Sequence, residues 1–222
     1  MNVVVHQYQR TLQHALDILF PPRCIACKRS GSVLCSSCLA AIQPLAPLPY
    51  KQHPHHMSGL HAVNMYEGSL RSCIHALKYE GVTRLAEPLG TLLAQAYLNY
   101  GMRADMMVSV PLHSERQRKR GYNHAQLLAS VCASRVNVPL RDDVLVRSRA
   151  TAAQVGLRAY ERQQNVQGAF LATLTTREVY GRRIIIIDDV CTTGATLEAC
   201  ATTLFNAGAY SVWGLVLARS TL

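Results

Sequence analysis

The residues best suited to chemistry lie in one stretch, IIIIDDVCTTGAT, which runs from Ile184 to Thr196. The four isoleucines predict a strand that is buried on both faces, and Asp188 and Asp189 are expected to end it. A turn of small residues around Gly194 then leads into a helical pattern, where unpaired backbone N–H groups and the helix dipole favour a phosphate. Because carboxylates repel a phosphate, the two acids suit sugar hydroxyls or a Mg²⁺ ion on the same ligand. The stretch therefore predicts a site for a phosphorylated sugar.

Other nucleotide-binding loops fit this stretch less well. A Walker A loop needs a lysine after its last glycine, and a dinucleotide-binding loop needs three spaced glycines. Residues 184–196 contain neither pattern. An acidic pair of the response-regulator type would not need the threonine-rich turn. An ordinary strand–turn–helix joint without a ligand remains the alternative interpretation.

The rest of the chain predicts the sheet that must position these residues. Short apolar runs predict further strands at 61–66, 106–110 and 212–218. Apolar residues at helical spacing predict helices at 68–79, 85–97, 125–135 and 195–207. The alternation of strands and helices predicts an α/β fold with a doubly wound, mostly parallel sheet, which binds ligands at the carboxyl ends of its strands.

Four of the eight cysteines form two C-x-x-C pairs, Cys24 with Cys27 and Cys35 with Cys38. In a chain without a secretion signal, such pairs indicate a structural Zn²⁺ site rather than a disulfide scaffold. Redox-active or incidental cysteines are the alternative. Cys73, Cys132 and Cys200 fit positions in a hydrophobic core, and Cys191, inside the phosphate loop, is expected to be a filler rather than a nucleophile.

Prolines between residues 43 and 58 indicate a linker that divides the 222-residue chain into two parts. Residues 1–42 are expected to form an amphipathic N-terminal helix and the cysteine-rich zinc finger. Residues 59–222 are expected to form the α/β domain. No apolar run approaches the roughly 18 residues of a membrane-spanning helix, and the first residues do not form a signal-peptide pattern. We therefore expect a cytoplasmic protein without a membrane span.

Two basic segments are candidates for binding an anion. Lys78 lies in LKYEG, where a helix is expected to end, and is a candidate contact for pyrophosphate. The second segment follows the strand at 106–110 and contains Arg116, Arg118, Lys119 and Arg120. Together with Tyr122, these cations predict a mobile lid over a pyrophosphate or a nucleic-acid contact with a stacked base. Solvated surface charges are the alternative, but the net charge of +10 favours a polyanionic partner.

The stretch at 184–196 resembles the phosphoribosyl-pyrophosphate (PRPP) loop of type I phosphoribosyltransferases. The whole chain resembles the ComF family, the phosphoribosyltransferase-like proteins of bacterial DNA uptake. The motifs that carry this resemblance are, in order, FPPRCIAC, LCSSC, ALKYEG, VSVPLH, RKRGYNHAQLLA, the segment of Gln154, Gly156, Leu157, Arg162 and Asn165 that leads to GAF, and IIIIDDVCTTGAT. The family's RGFNQ motif reads RGYNH here, so that His124 replaces the usual glutamine. The resemblance implies a type I phosphoribosyltransferase fold with an N-terminal zinc finger of four cysteines.

The resemblance also implies a role for each motif. Structural Zn²⁺ would bind Cys24, Cys27, Cys35 and Cys38. PRPP would contact Asp188, Asp189, Val190, Cys191, Thr192, Thr193, Gly194, Ala195 and Thr196, with the two acids on the ribose hydroxyls. Mg²⁺ would accompany PRPP, and the leaving pyrophosphate would be neutralised by Lys78, Arg116, Arg118 and Arg120. Single-stranded DNA would contact Arg118, Lys119, Arg120 and Tyr122.

Two functions are consistent with these roles. The first is a DNA-handling protein that binds PRPP or a nucleotide, single-stranded DNA, and partner proteins of the DNA-uptake or helicase type. The second is an active phosphoribosyltransferase of nucleotide metabolism with an unknown acceptor and no DNA role. Thr192 stands where purine salvage enzymes carry an aspartate that assists the base, which favours the first function. The intact PRPP loop favours the second.

Overall fold

The computed structural model describes residues 20–42, 56–150, 159–173 and 176–220. Within these residues, a parallel sheet of four strands forms the centre of the α/β domain. Its strands, in spatial order, are β1 (Gly59–Met65), β6 (Ser211–Arg219), β5 (Arg183–Cys191) and β2 (Met106–Ser109). A separate antiparallel pair consists of β3 (Leu145–Arg147) and β4 (Phe170–Ala172). The predicted parallel sheet is confirmed.

Helices connect the strands and pack on both faces of the sheet. They are α1 (Ser36–Ala40), α2 (Gly68–Tyr79), α3 (Ala86–Asn99), α4 (Ser114–Arg120), α5 (His124–Val136), α6 (Ala159–Val166), α7 (Thr176–Val179) and α8 (Ala195–Asn206). A 3-10 turn, Thr83–Leu85, precedes α3. Among the helices of the described ranges, none is both long enough and apolar enough to cross a membrane.

The isoleucine run lies in β5 between two hydrophobic cores. Ile185 and Ile187 pack in the cluster that contains the buried faces of α2, α3 and α5. Ile184 and Ile186 pack in the opposite cluster with α8. Successive side chains of a strand point to opposite faces of the sheet, so this run fills both cores. Burying each such side chain stabilises the fold by roughly 1.5–3 kcal/mol, which anchors the strand that carries the two acids.

The predicted end of the isoleucine strand is wrong. β5 does not end at Asp188 and Asp189 but continues to Cys191. It continues because β6 goes on pairing with it, with Val190 opposite Ala218. The acids therefore belong to a hydrogen-bonded strand and not to a loop, which holds their backbone rigidly.

The basic segment predicted as a lid contains a helix, α4, that was not predicted. The side chain of His113 caps its first turn by accepting the Glu115 N–H at 3.4 Å. Gly121 ends it with φ of +82°, a left-handed conformation that favours glycine. This glycine turns the chain sharply from α4 into α5, so that the basic helix lies directly beside the next element of the site.

The cysteine-rich segment packs on the α/β domain. Cys24, Leu34 and Ile42 belong to the same buried cluster as Cys73 and Leu77 of α2. Cys24 and Cys73 are both fully buried. The predicted zinc finger is therefore continuous with the main core through α2.

The predicted N-terminal helix and residues 43–55 of the predicted linker lie outside the described residues. Residues 56–58 already contact the α/β domain. Met57 is 5% exposed, and the Ser58 N–H donates to the Val212 carbonyl oxygen at 2.7 Å. The limits of the three predicted regions, 1–42, 43–58 and 59–222, stay predictions.

Candidate functional site

The two acids lie at the carboxyl-terminal edge of the sheet, beyond the end of β2. The last residue pair between these strands joins Ser109 to Ile187. The Val110 N–H then donates to the Ile187 carbonyl oxygen at 3.0 Å. β5 continues through Asp188 and Asp189 with β6 as its partner. Open α/β sheets bind ligands at this edge, so the acids are placed where the sequence predicted a ligand.

Asp189 is 2% exposed and is contacted by three segments of the chain. Its Oδ1 atom accepts the Val190 N–H at 2.7 Å. Its Oδ2 atom lies 2.6 Å from Lys78 Nζ and 3.4 Å from His124 Nε2. A buried carboxylate is stable only with such compensation, so the position of Asp189 depends on α2 and α5 as well as on its own strand.

Asp188 has different surroundings, towards the small β3–β4 sheet. Its Oδ1 atom accepts the Asp189 N–H at 2.9 Å, and its side chain is partly exposed. Arg147 of β3 lies within electrostatic range: burial lowers the pKa of Arg147, the nearby Arg116 lowers it further, and Asp188 opposes both effects. The Arg147 guanidinium also lies 5.3 Å from the centre of the Phe170 ring. The sequence did not indicate Arg147, because residues 142–170 show only a weak pattern.

The different surroundings separate the pKa values of the two acids. Burial, and then the charge of Asp189, raise the pKa of Asp188 to about 7. Burial would also raise the pKa of Asp189, but Lys78, His124 and the Val190 N–H together outweigh it, and this pKa falls to about 2. Burial would lower the pKa of Lys78, yet the two carboxylates raise it. At neutral pH the site therefore holds an ionised Lys78–Asp189 pair beside a carboxyl group that can exchange its proton.

Lys78 reaches the acids from the last turn of α2. The adjoining carbonyl oxygen of Leu77 accepts a hydrogen bond from the Tyr122 hydroxyl, which ties the RGYNH segment to the end of this helix. The Tyr122 ring is half-buried against the hydrophobic core. Tyr122 thus has a clear packing role here, and its predicted stacking on a base stays a prediction.

His124 connects the basic helix to the acids. It is the first residue of α5 and follows Asn123, whose side chain accepts the Ala125 N–H at 3.0 Å. His124 Nδ1 lies 2.6 Å from Arg120 Nη1, while Nε2 faces Asp189. Burial lowers the pKa of His124 to about 4, so the ring is neutral at neutral pH. The sequence marked His124 only as a departure from the family motif; its contact with Asp189 was not predicted.

The four cations of the basic segment lie in unequal surroundings. Arg118 and Lys119 are exposed, whereas Arg116 and Arg120 are half-buried. Arg120 also lies over the ring of Tyr79, with its guanidinium carbon 5.5 Å from the ring centre. Arg120 is thus linked towards the acids through His124, whereas Arg118 and Lys119 are presented to solvent.

The predicted phosphate loop joins β5 to α8 through Gly194. This glycine has φ of +81° and caps the N-terminus of α8. Thr193 is 9% exposed, and its Oγ1 atom accepts the Ala195 N–H at 3.3 Å. Cys191 is buried beneath the loop, and burial raises the pKa of its thiol to about 12. The loop is therefore shaped by its own contacts, and Cys191 is a neutral packing residue, as expected.

Two groups of side chains within the described ranges could hold a metal ion. In the first, the sulfur atoms all lie within 4.8 Å of one another; they belong to Cys24, Cys27, Cys35 and Cys38. Tetrahedral zinc with Zn–S bonds of about 2.3 Å places sulfurs about 3.8 Å apart, and the Cys27 and Cys35 sulfurs are 3.6 Å apart. The cysteines therefore fit Zn²⁺. In the second group, ligand atoms of His124, Asp188 and Asp189 also lie within 4.8 Å of one another.

Comparison with known proteins supports the fold. Residues 122–219 match the phosphoribosyl transferase domain. DNA utilization protein YhgH of Salmonella typhimurium is 34% identical over 204 residues, which cover 89% of this chain and 88% of that protein. Competence protein F of Haemophilus influenzae is 36% identical over 116 residues, 51% of each chain. Competence protein ComFC of Bacillus subtilis is 26% identical over 165 residues, 72% of this chain and 63% of that protein. The predicted type I phosphoribosyltransferase fold is confirmed.

Proposed function

Because this chain belongs to the ComF family of phosphoribosyltransferase-like proteins, we propose that it handles single-stranded DNA in the cytoplasm during DNA uptake. Its relatives include DNA utilization protein YhgH and competence protein F. In this proposal, PRPP or a nucleotide binds at residues 188–196. The observation that carries the proposal is the juxtaposition of the acid pair, Lys78 and the N-terminus of α8 at one edge of the sheet. Each part matches one chemical group of PRPP.

The 5′-phosphate of PRPP would be held by the backbone N–H groups and hydroxyls of residues 192–196, at the positive end of α8. The ribose hydroxyls would donate to Asp188 and Asp189. The pyrophosphate would meet Lys78 and the basic helix. Since Lys78 lies 2.6 Å from Asp189, binding would exchange this ion pair for two ligand contacts, one on each partner.

The donor sets also fit the two metals that the resemblance implies. Asp188 and Asp189 offer carboxylate oxygens, the ligands that Mg²⁺ prefers. When bound with PRPP, Mg²⁺ would neutralise part of the pyrophosphate charge. The four cysteines offer sulfur ligands that suit structural Zn²⁺.

Single-stranded DNA would bind beside this pocket through the exposed part of α4. Arg118 and Lys119 point to solvent on a chain whose net charge is +10, and cations of this kind attract a phosphate backbone. Arg120 and Tyr122 would join this contact after leaving their present partners. DNA-uptake or helicase-type proteins are the partners that such a role requires.

The complete acid pair and loop favour a second candidate function, an active phosphoribosyltransferase of nucleotide metabolism without a DNA role. Such an enzyme would release pyrophosphate from PRPP when an acceptor attacks the ribose. Its test is pyrophosphate release with a panel of bases and amines. Turnover that the double change Asp188→Asn, Asp189→Asn abolishes, without any DNA binding, would replace the first function with the second.

Calorimetric titration with PRPP and MgCl₂, with and without a single-stranded oligonucleotide, tests the main proposal. We expect Mg²⁺-dependent PRPP binding that is lost in the Asp188→Asn, Asp189→Asn variant. The matched control is Asp143→Asn, because Asp143 is an exposed acid that pairs with Arg141. Oligonucleotide binding without any PRPP binding would contradict the pocket assignment and leave a DNA-binding protein on a phosphoribosyltransferase fold.

A further inference from the structure

A chain of three side chains runs from the basic helix into the acid pair. Arg120 Nη1 lies 2.6 Å from His124 Nδ1, and His124 Nε2 lies 3.4 Å from Asp189 Oδ2. His124 is 5% exposed, and Asp189 is 2% exposed. Water therefore has little access to either contact, and the proton positions are decided by these partners.

The chemistry of arginine fixes the tautomer of His124. A guanidinium group has N–H donors and cannot accept a hydrogen bond, so His124 Nδ1 must be the acceptor. A neutral imidazole then carries its single proton on the other nitrogen, Nε2. We propose that His124 is a positioning residue, which holds its Nε2–H towards Asp189 in a tautomer that Arg120 sets and donates it to Asp189 once a ligand displaces Lys78.

This donor becomes more important when a ligand is bound. Lys78 Nζ, at 2.6 Å, and His124 Nε2, at 3.4 Å, share the same oxygen of Asp189. A separation of 3.4 Å is long for an N–H···O hydrogen bond. In the ligand-free protein, the closer Lys78 ammonium therefore makes the stronger interaction with Asp189 Oδ2. If pyrophosphate draws Lys78 away, as the proposed function requires, His124 is the remaining contact on Oδ2. Val190 holds the other oxygen at 2.7 Å, so together they would fix the carboxylate for the ribose hydroxyls.

The same tautomer opposes a metal site that includes the imidazole. His124, Asp188 and Asp189 are close enough to share an ion. Ligation by Nε2 would need that nitrogen unprotonated, and the proton would then move to Nδ1. The Nδ1–H group would then face the Arg120 N–H, with the two nitrogen atoms 2.6 Å apart. Two N–H donors this close repel each other. Arg120 therefore keeps the imidazole from acting as a ligand, and a cation at the acids would have oxygen ligands only.

A consequence for regulation rests on the proposed function. Arg120 belongs to the same helix as the exposed Arg118 and Lys119. A phosphate group that recruits Arg120 would remove the donor at His124 Nδ1 and free the ring to change tautomer. Occupation of the basic helix would then be transmitted to Asp189 through one imidazole ring.

The tautomer can be measured directly by ¹H–¹⁵N NMR on full-length protein with ¹⁵N-labelled histidine, with His124 assigned through the His124→Gln variant. We expect Nδ1 unprotonated and Nε2 protonated in the wild-type protein, and a shift towards the other tautomer in Arg120→Met. The matched control is Arg135→Met, because Arg135 lies on the same helix as His124 but pairs with Glu87. A proton on Nδ1 in the wild-type protein, or an unchanged tautomer in Arg120→Met, would overturn the assignment.

Positioning is tested by PRPP affinity in two variants whose folding is checked by circular dichroism and thermal melting. His124→Gln keeps an N–H donor and should bind within a few-fold of wild type. His124→Leu removes the donor to a charged group and should weaken binding about tenfold or more. Equal affinities for both variants would refute the role. If the wild-type protein binds no PRPP, the proposed function fails, but the NMR result still decides the tautomer.

Discussion

The four clustered cysteines and the acid pair are two groups of ionisable side chains that are built in opposite ways. The cysteines come from one short stretch, residues 24–38, and need only local turns to converge. The acid site joins α2, α5 and β5, which are far apart in the sequence and meet only in the folded sheet. The first group would depend on a bound metal and the second depends on its neighbours, so we expect each to respond to a different perturbation.

The largest expected effect is on the cysteine group. Cys24→Ser should weaken zinc binding strongly and lower the melting temperature, because it removes one of four sulfur ligands, and structural zinc binding in isolated zinc-finger peptides contributes roughly 10–16 kcal/mol. Zinc content by mass spectrometry and the melting temperature measure the change. The control is Cys132→Ala, which removes a buried thiol of α5 outside the cluster. Full zinc content in Cys24→Ser would show that this residue is not a ligand.

The acid site should be most sensitive at Lys78. Lys78→Met leaves the Asp189 carboxylate buried without its closest cation, and breaking such a pair costs about 3–5 kcal/mol. Urea denaturation at pH 7 measures the free energy of unfolding. Adding Asp189→Asn to this variant should restore much of the loss.

The exposed ion pair of Lys119 and Glu115 provides the contrast to this buried pair. Lys119→Met should cost much less than Lys78→Met, because solvent screens a surface pair. If Lys78→Met and Lys119→Met cost the same, burial of the Lys78–Asp189 pair would not be the source of its strength.

The two acids should respond to pH with opposite signs. The pKa of Asp189 falls to about 2 in the fold, so its contribution is present above the unfolded-state pKa and is lost as the pH falls towards 2. The pKa of Asp188 rises to about 7, so its ionisation destabilises the fold progressively as the pH rises from about 4 to 7. At pH 8, Asp188→Asn should therefore stabilise the ligand-free protein and Asp189→Asn should destabilise it, each by an amount on the order of a few kcal/mol.

Denaturation curves at pH 8 and pH 4.5 check this contrast. The advantage of Asp188→Asn should largely disappear at pH 4.5, where the wild-type carboxyl group is protonated. A stabilisation that is equal at both pH values would mean that packing and not ionisation is responsible.

The smallest effect is expected at the surface of α4. Arg118→Gln should weaken binding of a single-stranded oligonucleotide slightly and lower the slope of log K against log[salt] by about 0.7, the value for one phosphate contact on a single strand. Fluorescence anisotropy at several salt concentrations measures the slope. Arg135→Gln serves as the control of equal charge, since Arg135 lies on α5 and pairs with Glu87. Identical slopes for both variants would place the DNA contact elsewhere.

The two groups also differ in how far the sequence predicts them. The cysteine cluster, the parallel sheet and the turn at Gly194 are confirmed. They could be predicted because the first follows from spacing alone and the other two follow from local patterns. The length of β5 was predicted wrongly because it depends on pairing with β6. The contact of His124 with Asp189 and the electrostatic influence between Arg147 and Asp188 were not predicted, because they depend on how α5 and β3 pack and no local pattern records that. The sequence predicted which residues could do chemistry, but not which neighbours control their protons.

The packing of the cysteine segment has a consequence for any attempt to dissect the protein. Cys24, Leu34 and Ile42 share a buried cluster with Cys73 and Leu77 of the helix that carries Lys78. A shortened chain that begins at Gly59 would uncover the apolar side of that helix, and exposed apolar patches promote self-association. The proline-rich segment looks like a natural place to cut, yet the two pieces share one interior. Anyone who isolates the phosphoribosyltransferase domain should therefore keep the cysteines with it.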